Sequence, residues 1–362
     1  MDINVKRFVD INIQYHEAST NSSIRDTAVL YHNDTGTDGI YASLSEITLT
    51  GSFASTSNVY KYAKVFFDNG GIKLDIRKAS TKEEVKADIA NLSTKEIVIA
   101  SCVKDFFNTM KSIAEEYTND STVYGVNQKI FLASTDTVAD YSAINNFAVK
   151  VSKKIGDSEE DTTGCEMTIA AYLTKLQIYA VDSVKDYAFT VEDIYAEVND
   201  DTLLGNALEN NMNVDMTLAN AIRNLGGNLT NGLDLVNQYV LIVLQQTVTD
   251  RLLSLLTQKL KGNAGLSAIY TTIVAELNKF ITNGYLATDK TWTDATKTVT
   301  VNDTTYTLIE KGTSLNLGYH VTILPFTALT DEEKKQRKCP PIYIFLADSL
   351  GIRSITIQGE VI

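Results

Sequence analysis

At 362 residues, 44% of them hydrophobic and 21% charged, the chain is longer than one hydrophobic core usually serves, and it reads as two globular domains with room for a small third. A formal net charge of −13 argues against a nucleic-acid partner, because phosphate binding needs clustered Lys and Arg. There is no apolar run of about eighteen residues or more, and the opening MDINVKRFVD lacks the apolar centre of a signal peptide, so the expectation is cytosolic synthesis without membrane insertion.

Residues 1–20 hold Val9, Ile11 and Ile13 alternating with polar neighbours, the period of a half-buried strand. A polar loop follows over Asn21–Gly39, in which Thr27–Tyr31 could hold a short strand. Next, Val59–Phe67 has helical spacing and runs into Gly70-Gly71, a left-handed stop. Strands and helices then alternate. Strands are expected over Ile72–Arg77, Glu96–Ala100, Lys129–Ala133 and Asn146–Val151, and helices over Thr81–Leu92, Val103–Tyr117 and Gly164–Tyr179. Ser80 or Thr81, with Glu84 downstream, opens the first of these helices in capping-box style. This βαβ order predicts right-handed crossovers and a mostly parallel sheet covered by helices, an α/β domain over residues 21–180.

From Asp182 to Asn228 the pattern weakens into polar stretches and reads as a connection. A helical pair occupies 229–286. Apolar positions from Leu233 to Leu256 recur every three and four residues, and an unbroken helix from Leu233 to Leu260 would be roughly 40 Å long at 1.5 Å per residue. After the Gly262–Gly265 break a second helix runs to Asn283-Gly284. A hairpin over Thr298–Ile309, a strand at Tyr319–Leu324, a charged helix Thr330–Lys338 and strands at Ile342–Leu346 and Ile355–Val361 complete the chain. In the last of these, Ile355, Ile357 and Val361 share one face.

The sequence offers little catalytic chemistry. His16, His32 and His320 stand on separate segments with no metal-ligand spacing, and Cys102, Cys165 and Cys339 form no CxxC, so neither metal nor cofactor is expected. Gly70-Gly71 precedes a strand and Gly226-Gly227 lacks the Lys-Ser/Thr of a phosphate loop. The acidic turn Asn33–Gly39 has Leu44 where a calcium loop needs Glu. Two features point to assembly instead. Lys334, Lys335, Arg337 and Lys338 are a local basic cluster in an acidic protein, either a solvated face or a docking helix. The strands at the two ends either pair within their own chain or add to the sheet edge of a neighbouring copy, which by repetition builds a polymer.

The order of elements and several strings resemble the contractile-tail sheath proteins of bacteriophages and related injection systems. The strings are VYKYAKVFFDNGGIKLDIRK (59–78), EIVIAS (96–101), TNGYL (282–286), GYHVTILPF, TDEEKKQRKCPPIYIFL with its Arg-x-x-Pro, and the closing LGIRSITIQGEVI with its Gly-Ile-x-Ser. The resemblance implies an outer α/β domain (21–180) with a mostly parallel sheet. It also implies an inner, tube-facing α+β domain (181–350), built from the helical pair and terminal strands, and arm strands at 1–20 and 351–362 that join neighbouring subunits. It further implies a non-enzymatic virion tail component, made in the host bacterial cytoplasm, that assembles as a helical stack of rings around a tail tube protein and meets baseplate and tail terminator proteins. In this reading the helix carrying Lys334, Lys335, Arg337 and Lys338 touches the tube, and contraction drives the tube through the target envelope. Another polymerising tail component, tube or baseplate, is the alternative; a cytosolic α/β enzyme is the other.

Overall fold

The computed structural model describes residues 25–93, 96–119, 128–152, 164–176, 178, 186–194, 200–256, 258, 260 and 262–347, with no side-chain description at 118–119. The expected strands carrying Val9, Ile11 and Ile13 and carrying Ile355, Ile357 and Val361, and also His16, lie outside these residues.

The first half is the expected α/β alternation. In chain order it runs β1 (Thr27–His32), β2 (Gly39–Tyr41), α1 (Leu44–Leu49), α2 (Asn58–Asp68), β3 (Lys73–Lys78), α3 (Lys82–Ile89), β4 (Val98–Ser101), α4 (Phe107–Asn119), β5 (Ile130–Thr135), β6 (Phe147–Val151) and α5 (Met167–Lys175). One six-stranded sheet results, in the order β2-β3-β1-β4-β5-β6. Every neighbouring pair is parallel except the short edge strand β2, which runs antiparallel to β3. Register is set by strands that are apolar on both faces: Leu30 lies opposite Ile76 and Phe131 opposite Phe147. Ala28, Leu30, Leu74, Ile76 and Ala148 face α2 and α5, whereas Val29, Tyr31, Ile99 and Phe147 face α3 and α4.

The helix ends follow the expected chemistry. Thr81 rather than Ser80 is the N-cap of α3, and its hydroxyl and the Glu84 carboxylate satisfy each other's backbone amides. Gly70, at φ +81°, ends α2, a conformation that costs a Cβ-bearing residue about 1–2 kcal/mol.

Residues 200–228 differ from the expected irregular connection. They form α6 (Asp201–Glu209), capped by the Asp200 carboxylate, and the hairpin β7 (Val214–Leu218) with β8 (Ala221–Leu225). Asn213 extends the sheet beyond β6: the Val151 amide donates to its carbonyl, and its own amide donates to the Val149 carbonyl.

The helical pair is present as α7 (Leu235–Leu256) and α8 (Gly262–Thr282). The first helix stops at Leu256 instead of Leu260, so its 22 residues span roughly 33 Å at 1.5 Å each. Gly262 and Gly265 fall inside the start of α8 rather than in a break before it. Burial surrounds α7 more completely than a single stripe predicts. Tyr239, Ile242, Gln246 and Thr249 are buried along with Val236, Val240, Val243 and Leu252, because the helix is packed between α8 and the rest of the molecule. Arg25, just before β1, donates from Nε to Gln246 Oε1 at 2.9 Å, which ties α7 to the sheet. A single apolar core runs from the α2/α5 face of the sheet through α7 and α8 to Tyr319.

The remaining strands are β9 (Lys297–Val301) with β10 (Thr304–Ile309), the expected hairpin, and β11 (Tyr319–Ile323) with β12 (Ile342–Leu346), an antiparallel pair. Between the latter two lies α9 (Asp331–Lys335). Thr330 and Glu333 form the expected capping box, but the helix ends at Lys335, and Arg337 adopts a left-handed φ of 57° ahead of Pro340 and Pro341.

Candidate functional site

Three places bear on function, beginning with the basic cluster. Within α9 the first turn carries Asp331, Glu332 and Glu333, and these acids engage part of the cluster: Lys334 pairs with Asp331 at 3.2 Å and Lys338 with Glu333 at 3.5 Å. Lys335 and Arg337 are exposed, and among the described residues neither has an ion-pair partner. Lys334, Arg337 and Lys338 border a groove of about 760 Å³ whose apolar lining includes Leu260, Ile269, Phe326 and Leu329. The structure thus brings the cluster against the α7–α8 junction, a proximity the linear sequence does not reveal.

The second place is the β11–β12 sheet. It has two strands, and among the described residues neither gains a third strand as partner. A two-stranded antiparallel sheet is marginal in water without more strands or helical cover. Tyr319 supplies some cover by packing into the α7/α8 core, while Ile344 on β12 is 37% exposed.

A third place escaped the sequence reading. Lys150, the one charged residue in the buried strand β6, is completely enclosed. Its Nζ donates to Thr168 Oγ1 at 2.6 Å and to Glu192 Oε2, and it stands 2.8 Å from Asp215 Oδ2. The Tyr187 hydroxyl donates to Glu192 Oε1 at 2.6 Å. Neither oxygen of Asp215 accepts an aligned hydrogen bond. Burial pushes the Asp215 carboxyl well above the usual range, and the Glu192 charge adds to this against the pull of Lys150. Burial also opposes ionisation of Glu192, but the Lys150 ammonium overrides it and holds Glu192 below the usual range. These directions favour Lys150 as ammonium, Glu192 as carboxylate and Asp215 as the neutral acid, one proton more than two buried anions on one cation. The signal in the sequence was Lys150 itself, a lone charge in the apolar run FAVKV.

His32 and His320 serve the fold. His32 is buried, contacts Asp38 at 3.0 Å and stands edge-on to Phe53, and His320 Nε2 lies 3.1 Å from the Leu308 carbonyl oxygen. Among the described residues no three His, Cys, Asp or Glu side chains group as metal ligands. The three cysteines are free thiols. The sheet order reverses at β1 and β4, where an open α/β sheet ordinarily offers a ligand crevice. Here the nearby amides are used internally: Asp34 Oδ2 accepts from the Val59 amide at 3.0 Å, and the Cys102 amide donates to the Tyr31 carbonyl at 2.9 Å.

This architecture is the fold of contractile-tail sheath proteins. A chain of the anti-feeding prophage baseplate superposes with a TM-score of 0.67 at 13% identity, covering 97% of this chain and 98% of that one. A chain of the contracted helical sheath of the same prophage gives 0.64 at 11% identity, covering 96% and 98%. A sheath tail protein from Listeria innocua gives 0.54 at 8% identity, covering 91% and 96%. Residues 234–361 match the family described as E217 tail sheath protein gp31-like, C-terminal domain. No curated protein matches the sequence.

Proposed function

We propose that this chain is the repeating subunit of a contractile tail sheath, polymerising around a tail tube and contracting to drive the tube through a target envelope. The observation that carries the reading is the near-complete correspondence of its fold with a subunit of a contracted helical sheath, joined to the tail-sheath family match over residues 234–361. Residues 181–350 face the tube and residues 21–180 lie outward. The strands with Val9, Ile11 and Ile13 and with Ile355, Ile357 and Val361 exchange between subunits. The β11–β12 sheet favours this, since it has only two strands among the described residues and β-augmentation would add to it. Contraction is a rigid-body repacking powered by newly buried surface, with the strand mesh intact. Baseplate and tail terminator proteins close the two ends of the sleeve.

Within the basic cluster of Lys334, Lys335, Arg337 and Lys338, the exposed pair Lys335 and Arg337 makes the working contact with the tube. Contacts of this kind contribute about 0–1 kcal/mol each and break readily on contraction.

Negative-stain electron microscopy of the full chain beside a truncation lacking residues 352–362 tests the reading. Tubular polymers should form from the first and be absent from the second, with unchanged circular dichroism. A full-length protein that stays monomeric under all assembly conditions would sink the sheath assignment.

A further inference from the structure

We propose that Lys150 and Asp215 become joined by an intramolecular isopeptide bond, formed without any other protein, with Glu192 as the proton carrier. The geometry is that of a condensation site rather than of an ordinary ion pair. One amine meets two carboxyl groups in a fully enclosed space, its Nζ lies 2.8 Å from Asp215 Oδ2, and that contact lacks the alignment of a hydrogen bond. Thr168 Oγ1 and Glu192 fix the Nζ from other directions, and Tyr187 fixes Glu192. A buried ion pair is weakly stabilising at best, since desolvation offsets its attraction. A buried amide carries no charge, so bond formation relieves that cost. Holding amine and acid in contact replaces a bimolecular encounter, an advantage that reaches about 10⁵–10⁸ M in effective concentration.

The atoms and charges balance without a co-reactant. The reacting state is Lys150 ammonium, Glu192 carboxylate and protonated Asp215, in keeping with the burial and charge relations of the site. Glu192 removes a proton from Nζ, and the freed lone pair attacks Cγ of Asp215. Glu192 returns that proton to the departing hydroxyl, which leaves as water, and takes the second Nζ proton as the amide forms. The C–O bond of the acid breaks and an N–C bond forms. Nothing is oxidised or reduced, and Glu192 ends as a neutral acid beside the new amide. The link staples the sheet-edge strand β6 to the β7–β8 hairpin.

The test is the mass of the denatured full-length wild-type protein, purified in its folded state. The expected mass is below that of the sequence by one water. Trypsin, unable to cut at a modified Lys150, should release residues 130–153 joined to residues 186–223, and fragmentation should place the bond between Lys150 and Asp215. Lys150→Arg and Glu192→Gln should each restore the full mass. A folded wild-type protein at the full sequence mass would overturn the proposal. So would water lost without a joined peptide pair, or a link placed on Glu192 instead of Asp215. The wild-type reading stands even if a variant does not fold.

Discussion

Lys129 shows how one side chain sets a pH dependence. It is enclosed immediately before β5, and its Nζ donates to the backbone carbonyls of Ser93 at 2.8 Å and Glu96 at 2.7 Å. Burial lowers its pKa from the ordinary 10.5 to about 7, with the Glu96 charge acting in the opposite sense. The folded value lies below the unfolded one, so between about pH 7 and 10.5 the unfolded chain holds more protons, and stability rises with pH through that window. From pH 7 to 9 the gain should be about 2 kcal/mol, read as a rising midpoint in urea unfolding. The Cys339 thiol, raised to about 11 by burial, acts oppositely, but only above its ordinary value of 9.0. Lys129→Met should flatten the rise, and an unchanged slope in that variant would assign the effect elsewhere. At the N-cap of α9, Thr330→Ala removes the hydroxyl that accepts the Glu333 amide. It should weaken that turn by about 1 kcal/mol, seen as faster amide exchange at Glu333 and Lys334. This cap was legible because Thr-x-x-Glu is a local pattern. The Lys150 site was not, because its members are 42 and 65 positions apart in the chain and meet only after the sheet edge has folded.

Elements were legible where local signals agreed with the fold. The strands β3, β4, β5 and β6 announced themselves as short apolar runs between turn residues, and the helices between them by spacing and caps. The two hairpins of the second half make the contrast. Between β9 and β10, Asn302 and Asp303 take φ of 48° and 60°, and both residue types tolerate the left-handed region, so the turn was readable. Between β7 and β8 the same geometry falls on Ala219 and Asn220, at 50° and 62°, and alanine gives no turn signal. The mismatch that hid the hairpin also strains it. Ala219→Gly should therefore stabilise the protein by roughly 1 kcal/mol, the relief of left-handed strain less the entropy glycine adds to the unfolded chain. Denaturant unfolding would show this as a higher midpoint at constant slope, and a lower midpoint would mean that the Ala219 methyl has a packing role. The helical spine was legible from periodicity, but its end was not. Leu260 continues the apolar spacing four residues past Leu256, where α7 ends, and Leu256 is 39% exposed. The hydrophobic pattern overran the helix because Leu256 and Leu260 line the groove beside α9.

For the whole molecule, charge separates the two kinds of contact proposed for this chain. Each chain carries a formal −13, so neighbouring copies in the proposed sleeve would repel one another, while the proposed strand exchange and surface burial between them are indifferent to salt. The proposed contact with the tube is different, because it rests on the cations Lys335 and Arg337 and weakens as they are screened. Raising salt from 0.1 to 1 M shortens the screening length from about 10 Å to about 3 Å. Sleeve formation, measured by sedimentation of polymers, should then rise with salt, whereas the fraction of sleeves loaded on tubes should fall. Lys335→Glu combined with Arg337→Glu should lower loading at 0.1 M to about the wild-type level at 1 M, and should leave tube-free sleeves intact. The opposite pattern carries its own reading. Sleeves that dissolve as salt rises would mean that complementary charges, not exchanged strands, hold the subunits together. The two-stranded β11–β12 sheet would then have to find its missing partners within its own chain.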